Sequence, residues 1–129
     1  MFEGYKLKYR LNARHSFNGV KEKIHPHTFE ISLYIEQIQV KTLVAYATID
    51  KIVELFLLEY QNQYLNDVST FIKIEPTIEN IGNIFYEALK VILREEQFNL
   101  LQLEISETPL RIYLISDRLM FGSLPYNQF

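Results

Sequence analysis

The stretch YKLKYRLNARHSFNGVKEKIHPHTFEISLYIE, residues Tyr5–Glu36, decides the fold. Its first eight residues alternate Tyr5, Leu7, Tyr9 and Leu11 against Lys6, Lys8, Arg10 and Asn12. Side chains of a strand point to opposite faces with a period of two, so this alternation predicts a half-buried strand. Asn18-Gly19 supplies a turn. A second strand follows, with Phe29, Ile31, Leu33 and Ile35 set against Glu30, Ser32, Tyr34 and Glu36. The same stretch holds all three histidines of the chain, as Ala13-Arg14-His15 and His25-Pro26-His27. His25 and His27 are two apart, so an extended segment puts both on one face. A hairpin that carries His15 beside them gathers three imidazoles, the first shell of a catalytic zinc site with one position open. Spacing alone leaves the other reading standing: three separate structural or surface imidazoles.

Downstream the period changes. Ile49, Ile52, Val53, Phe56, Leu57 and Tyr60 keep helical spacing from Ala47, with Thr48 as the expected cap. Gln61 to Lys73 reads as a polar connection broken by short apolar groups. Pro76-Thr77-Ile78-Glu79-Asn80 opens a second helix with Thr77 as N-cap and Glu75 and Glu79 near its positive end. Ile81, Ile84, Phe85, Ala88, Leu89 and Ile92 then form an apolar stripe to about Glu96. Leu101-Leu103-Ile105 and Leu110-Ile112-Leu114 give two closing strands. The order ββααββ makes an α+β fold: a four-stranded antiparallel sheet with two helices on one face. That arrangement leaves a sheet face and two edges uncovered, and assembly into an oligomeric barrel answers both needs. The tail Phe121–Phe129 is expected to be irregular and to dock on a neighbour.

Composition narrows the function. A chain of 129 residues reads as a single domain, 1–129, long enough to bury roughly two thirds of its unfolded surface. The net charge of −3 gives no basic field for nucleic acid. The absence of cysteine excludes disulfides, thiolate zinc ligands and a cysteine nucleophile. No apolar run reaches the ~20 residues of a membrane span, and no signal-peptide core opens the sequence, so a cytoplasmic location without membrane contact is expected.

Five motifs then fall in one order: Ala13-Arg14-His15; His25-Pro26-His27-Thr28-Phe29; Tyr64-Leu65-Asn66-Asp67; Pro76 to Asn80; and Glu107-Thr108-Pro109. Together they resemble the 6-pyruvoyltetrahydropterin synthase and 6-carboxytetrahydropterin synthase (QueD-like) family, over Tyr5 to about Tyr113. The resemblance implies the tunnelling fold (T-fold), with the sheets of several subunits joined into a barrel, a hexamer favoured, and sites between subunits. It implies zinc held by His15, His25 and His27, acting as a Lewis acid on side-chain oxygens of a pterin substrate. It makes Glu107 the anchor of the amino-pyrimidine edge, where one carboxylate pairs with two N–H donors. It sets Thr77 near the pterin pocket, although the N-cap reading of Thr77 needs no ligand.

The sequence also departs from the family. Lys21 stands at the position of the catalytic cysteine, Gln61-Asn62 at that of an Asp-His pair, Ala45-Tyr46 at Asp-Phe, and Pro26 at a glycine. Neither Gln nor Asn titrates near neutrality, so neither serves as general acid or base. One branch of the family carries glutamate in the cysteine's place; Glu22 lies one residue past that position, so Glu22 and Lys21 are the replacement proton-transfer candidates. A Lys-Glu-Lys run is otherwise a solvated turn. Two functions follow: a zinc-dependent lyase acting on a dihydroneopterin-type substrate, or a catalytically inactive pterin-binding or regulatory homologue.

Overall fold

The computed structural model describes residues 3–17, 24–39 and 43–117. The strands are β1 (Tyr5–His15), β2 (His25–Gln37), β3 (Phe98–Thr108) and β4 (Arg111–Ser116); the helices are α1 (Tyr46–Leu57) and α2 (Ile78–Glu95). All strands are antiparallel and lie in the order β1-β2-β3-β4. The order ββααββ read from periodicity is therefore the observed one. Asn18-Gly19 and the tail Phe121–Phe129 lie outside the described residues.

Alternation decides the core. Leu11, Phe29, Ile31, Leu33, Leu103 and Ile105 share one sheet face, are fully buried, and pack under Ile49, Val53 and Leu57 of α1 and Ile81, Phe85, Leu89 and Leu93 of α2. Full burial of each such side chain is worth about 1.5–3 kcal/mol. Gly82 lets α2 approach the sheet closely: a Cβ there would stand 3.0 Å from Ile105 Cγ2 and 3.1 Å from Tyr113 Cδ2. The Tyr9 hydroxyl donates to Asp50 Oδ1 at 2.7 Å and ties α1 to β1. The opposite face is polar over β1 and β2 and the adjoining part of β3, crossed by the pairs Lys6–Glu104 and Lys8–Glu30.

Three local expectations change. The N-cap of α1 is Ala45, without a side-chain bond, so Thr48 already lies inside the helix and caps nothing. Leu110 sits in the β3–β4 turn, and Ile112 and Leu114 are exposed on the open face, whereas Tyr113 and Ile115 pack on the core. The chain chose the other parity because Tyr113 pairs with Ile105 on the helix-covered face. The connection from Gln61 to Lys73 is partly a core element: its two short 3-10 turns, Leu65–Asp67 and Ser69–Phe71, bury Leu65 and Phe71.

Candidate metal centre

The β1–β2 register brings the histidines together. His15 lies directly opposite His25, and Ala13 opposite His27, so the three rings share the helix-covered face at the end of the hairpin. Ring centroids are 4.4 Å apart for His15–His25, 4.5 Å for His25–His27 and 5.1 Å for His15–His27. One nitrogen from each ring lies within 4.8 Å of the other two. Phe29 and Phe17 contact His15 edge-on at 5.4 and 5.0 Å and give the cluster an apolar floor.

His15 is fully buried, and its two nitrogens are in different situations. Nδ1 lies 2.8 Å from the Pro76 carbonyl oxygen, which can only accept, so Nδ1 carries the hydrogen. Nε2 then has a lone pair, and it is buried without a hydrogen-bond partner. A neutral imidazole fixed through one nitrogen by a backbone carbonyl, with the other free, is how proteins orient a metal-ligating histidine. Burial lowers the His15 pKa, against the opposing influence of the Pro76 carbonyl and Glu107, and so favours the neutral ligating form. The donor set thus fits zinc.

The loop before α2 supplies the carbonyl. Thr77 caps α2, its hydroxyl oxygen accepting from the Asn80 N–H at 3.1 Å, which holds Pro76 in place one residue earlier. Asn66 accepts from the Ser16 N–H and donates to the Ser16 carbonyl, both at 2.9 Å, and Ser16 Oγ lies 2.6 Å from the Tyr64 hydroxyl. The Tyr64-Leu65-Asn66 motif therefore secures the backbone next to His15. The Thr77 cap was legible in the sequence; the contacts of Ser16 with Asn66 and Tyr64 were not, because they join residues about 50 apart.

Glu107 joins the histidines. It falls where the β3–β4 ladder slips, between Ser106 and Thr108, and such an irregularity re-aims a side chain. Its Oε2 is 3.3 Å from His27 Nε2 and its Oε1 3.5 Å from His15 Nε2. Beside His27 a cleft of about 560 Å³ opens between Asn12–Arg14 and Pro26–Thr28, with Asn62 in its wall. Lys21 and Glu22 lie outside the described residues.

Gln61-Asn62 has taken a structural task. Gln61 Oε1 accepts from the Asn12 N–H at 3.0 Å and Nε2 donates to the Arg10 carbonyl at 2.9 Å, so the amide imitates a ladder rung along the β1 edge. The Asn62 N–H donates to the Asn12 carbonyl at 2.6 Å, and its φ of 60° is one that Asn tolerates better than most residues. Arg14 N–H donates to the Gln63 carbonyl at 2.9 Å and completes this clasp.

A sequence profile of 6-pyruvoyl tetrahydropterin synthase matches residues 5–117. No curated protein matches the chain. Among solved structures, the Caenorhabditis elegans 6-pyruvoyl tetrahydropterin synthase superposes with a TM-score of 0.75 at 19% identity, covering 92% of this chain and 100% of that one. An uncharacterized Wolinella succinogenes protein gives 0.62 at 11% identity, covering 91% and 100%. The Plasmodium vivax 6-pyruvoyltetrahydropterin synthase, solved with cysteine in place of a catalytic glutamate, gives 0.57 at 15% identity, covering 88% and 98%. At these identities the superpositions carry the fold; the profile, spanning most of the sequence, carries the kinship. The chain belongs to the 6-pyruvoyl tetrahydropterin synthase family.

Proposed function

We propose that this protein is a zinc-dependent lyase acting on a dihydroneopterin-type substrate, with proton-transfer residues unlike those usual in its family. The observation that carries this reading is the convergence of the His15, His25 and His27 nitrogens around a buried, unpartnered His15 Nε2. Zinc bound there supplies Lewis-acid polarisation of substrate oxygens. His15, fixed by Pro76, His25 and His27 hold the ion. Glu107 accepts the two N–H donors of the amino-pyrimidine edge, and the loop of Pro76 and Thr77 borders the ring. Glu22 moves the proton, with Lys21 as a second basic group or a phosphate contact. The catalytic glutamate named for the Plasmodium vivax enzyme supports a carboxylate in this role.

Assembly belongs to the same proposal. Ile112 and Leu114 are about half exposed on edge strand β4, and an exposed apolar edge is the feature a barrel of several copies, here a hexamer, would cover. The proposed setting is the cytoplasm. No helix among the described residues is long and apolar enough to cross a membrane.

A second reading rests on its own observation. Gln61 spends its whole amide on the β1 edge, where its family carries a proton-transfer residue. A homologue that retained metal and ring recognition without turnover fits that finding. Product analysis of zinc-loaded protein incubated with dihydroneopterin, its triphosphate and related dihydropterins separates the two. Turnover abolished by Glu22→Gln or by Lys21→Met establishes the lyase and its base. Pterin fluorescence binding without any product establishes the binder.

A further inference from the structure

The Glu107 carboxylate faces two of the three imidazoles at distances that do not suit hydrogen bonds. An N–H donor paired with a carboxylate settles near 2.7–2.9 Å. The contacts here are 3.3 Å to His27 Nε2 and 3.5 Å to His15 Nε2. Two donors on one tetrahedral zinc, each about 2.0–2.1 Å from it, stand about 3.3–3.4 Å apart. The spacing of Glu107 from His15 and His27, through one carboxylate oxygen each, is therefore close to the spacing between ligands of one ion.

Chemistry agrees with distance. The Pro76 carbonyl claims the hydrogen of His15 Nδ1, so neutral His15 presents a lone pair from Nε2. That lone pair faces Glu107 Oε1, itself an acceptor, in a place where His15 is fully buried. Two acceptors confronting each other repel unless a proton or a cation stands between them, and only the His15 side of this pair is fully buried. The ladder slip between Ser106 and Thr108 puts Glu107 in this position.

We infer that Glu107 is a fourth metal ligand in the pterin-free protein and leaves the metal when a pterin ring binds. This rests on the reading of His15, His25 and His27 as zinc ligands and of Glu107 as ring anchor. Pairing with two ring N–H donors engages both carboxylate oxygens, so ring and metal compete for the same side chain. Zinc with three histidines and a carboxylate is a closed shell; release of Glu107 restores the open position that substrate chemistry needs.

Cobalt(II) is the probe, because its visible absorption reports ligand number and type. Metal affinity and spectra are measured for wild type, Glu107→Gln and Glu107→Ala, with the Gln variant preserving side-chain volume. Expected is at least a tenfold loss of cobalt affinity in both variants and a changed visible band. Adding 7,8-dihydroneopterin until pterin fluorescence shows each protein saturated should shift the wild-type band so that it converges with the bands of the pterin-saturated variants. Equal affinity and identical spectra in all three proteins would overturn the inference while leaving the histidine site standing. A wild-type band unmoved by bound dihydroneopterin would overturn the exchange. Failure of wild type to bind cobalt or zinc would overturn the metal reading and this inference together.

Discussion

His15 donates from Nδ1 to the Pro76 carbonyl oxygen at 2.8 Å, across 61 residues of sequence. The bond joins β1 to the loop ahead of α2 and determines which nitrogen of a buried ring remains available. The orientation of the His15 ring thereby depends on a helix cap, since Thr77 holds that loop.

Replacing each histidine should separate metal binding from packing. His15→Ala, His25→Ala and His27→Ala are each expected to lose stoichiometric zinc, measured by metal analysis of untagged protein. Only His15→Ala should also destabilise the metal-free fold, by ~2–3 kcal/mol, because His15 is fully buried and bonded to Pro76. Wild type at free zinc a thousandfold above its Kd should gain ~4 kcal/mol over the chelated protein. Equal melting temperatures with and without chelator would refute the site.

Thr77→Ala should cost ~1 kcal/mol through the lost cap. It should also weaken zinc binding several-fold, because Pro76 is freed to move, while Thr77→Ser should restore both. A variant with unchanged stability and zinc affinity but weaker pterin binding would assign Thr77 to the ring instead.

Gln61→Ala should lower stability by ~1–2 kcal/mol, the net worth of two hydrogen bonds to an edge strand. Gln61→Glu should fare no better, because a carboxylate cannot donate to the Arg10 carbonyl. Zinc stoichiometry should survive both changes. Denaturant titration measures the effect; a neutral Gln61→Glu would show that the clasp is dispensable.

Alkaline pH should unfold the protein partly through Tyr9. Burial, and then the bond to Asp50, raise its phenol above the ordinary 10.0. Above about pH 10 the unfolded chain releases a proton that the folded chain keeps, so stability falls as pH rises through that range. Tyr9→Phe should be ~1 kcal/mol less stable at pH 7 yet decline less steeply above pH ~10. Some decline should remain, since burial also raises Tyr60 and Tyr86. An identical alkaline slope in Tyr9→Phe would refute the assignment.

Sequence by itself determined the strands and helices in outline and placed His25 and His27 on one face of a strand. Period-two alternation in Tyr5–Asn12 and Phe29–Glu36 and helical spacing from Ile81 to Ile92 are written locally, because each side chain's face depends only on its own backbone. The Thr77 cap was legible for the same reason: its partner, Asn80, is three residues away. Thr48 failed as a cap and Leu110–Leu114 took the opposite parity because both depend on where packing starts a helix or turns a strand. Tertiary structure alone decided that His15 opposes His25, that Pro76 fixes the His15 tautomer, that Gln61 closes the β1 edge, and that Glu107 reaches the imidazoles. Each of these joins positions far apart in the chain through a carbonyl, an amide or a slipped register. Residue type records that such a group exists, and only the fold brings it within 3.5 Å of its partner.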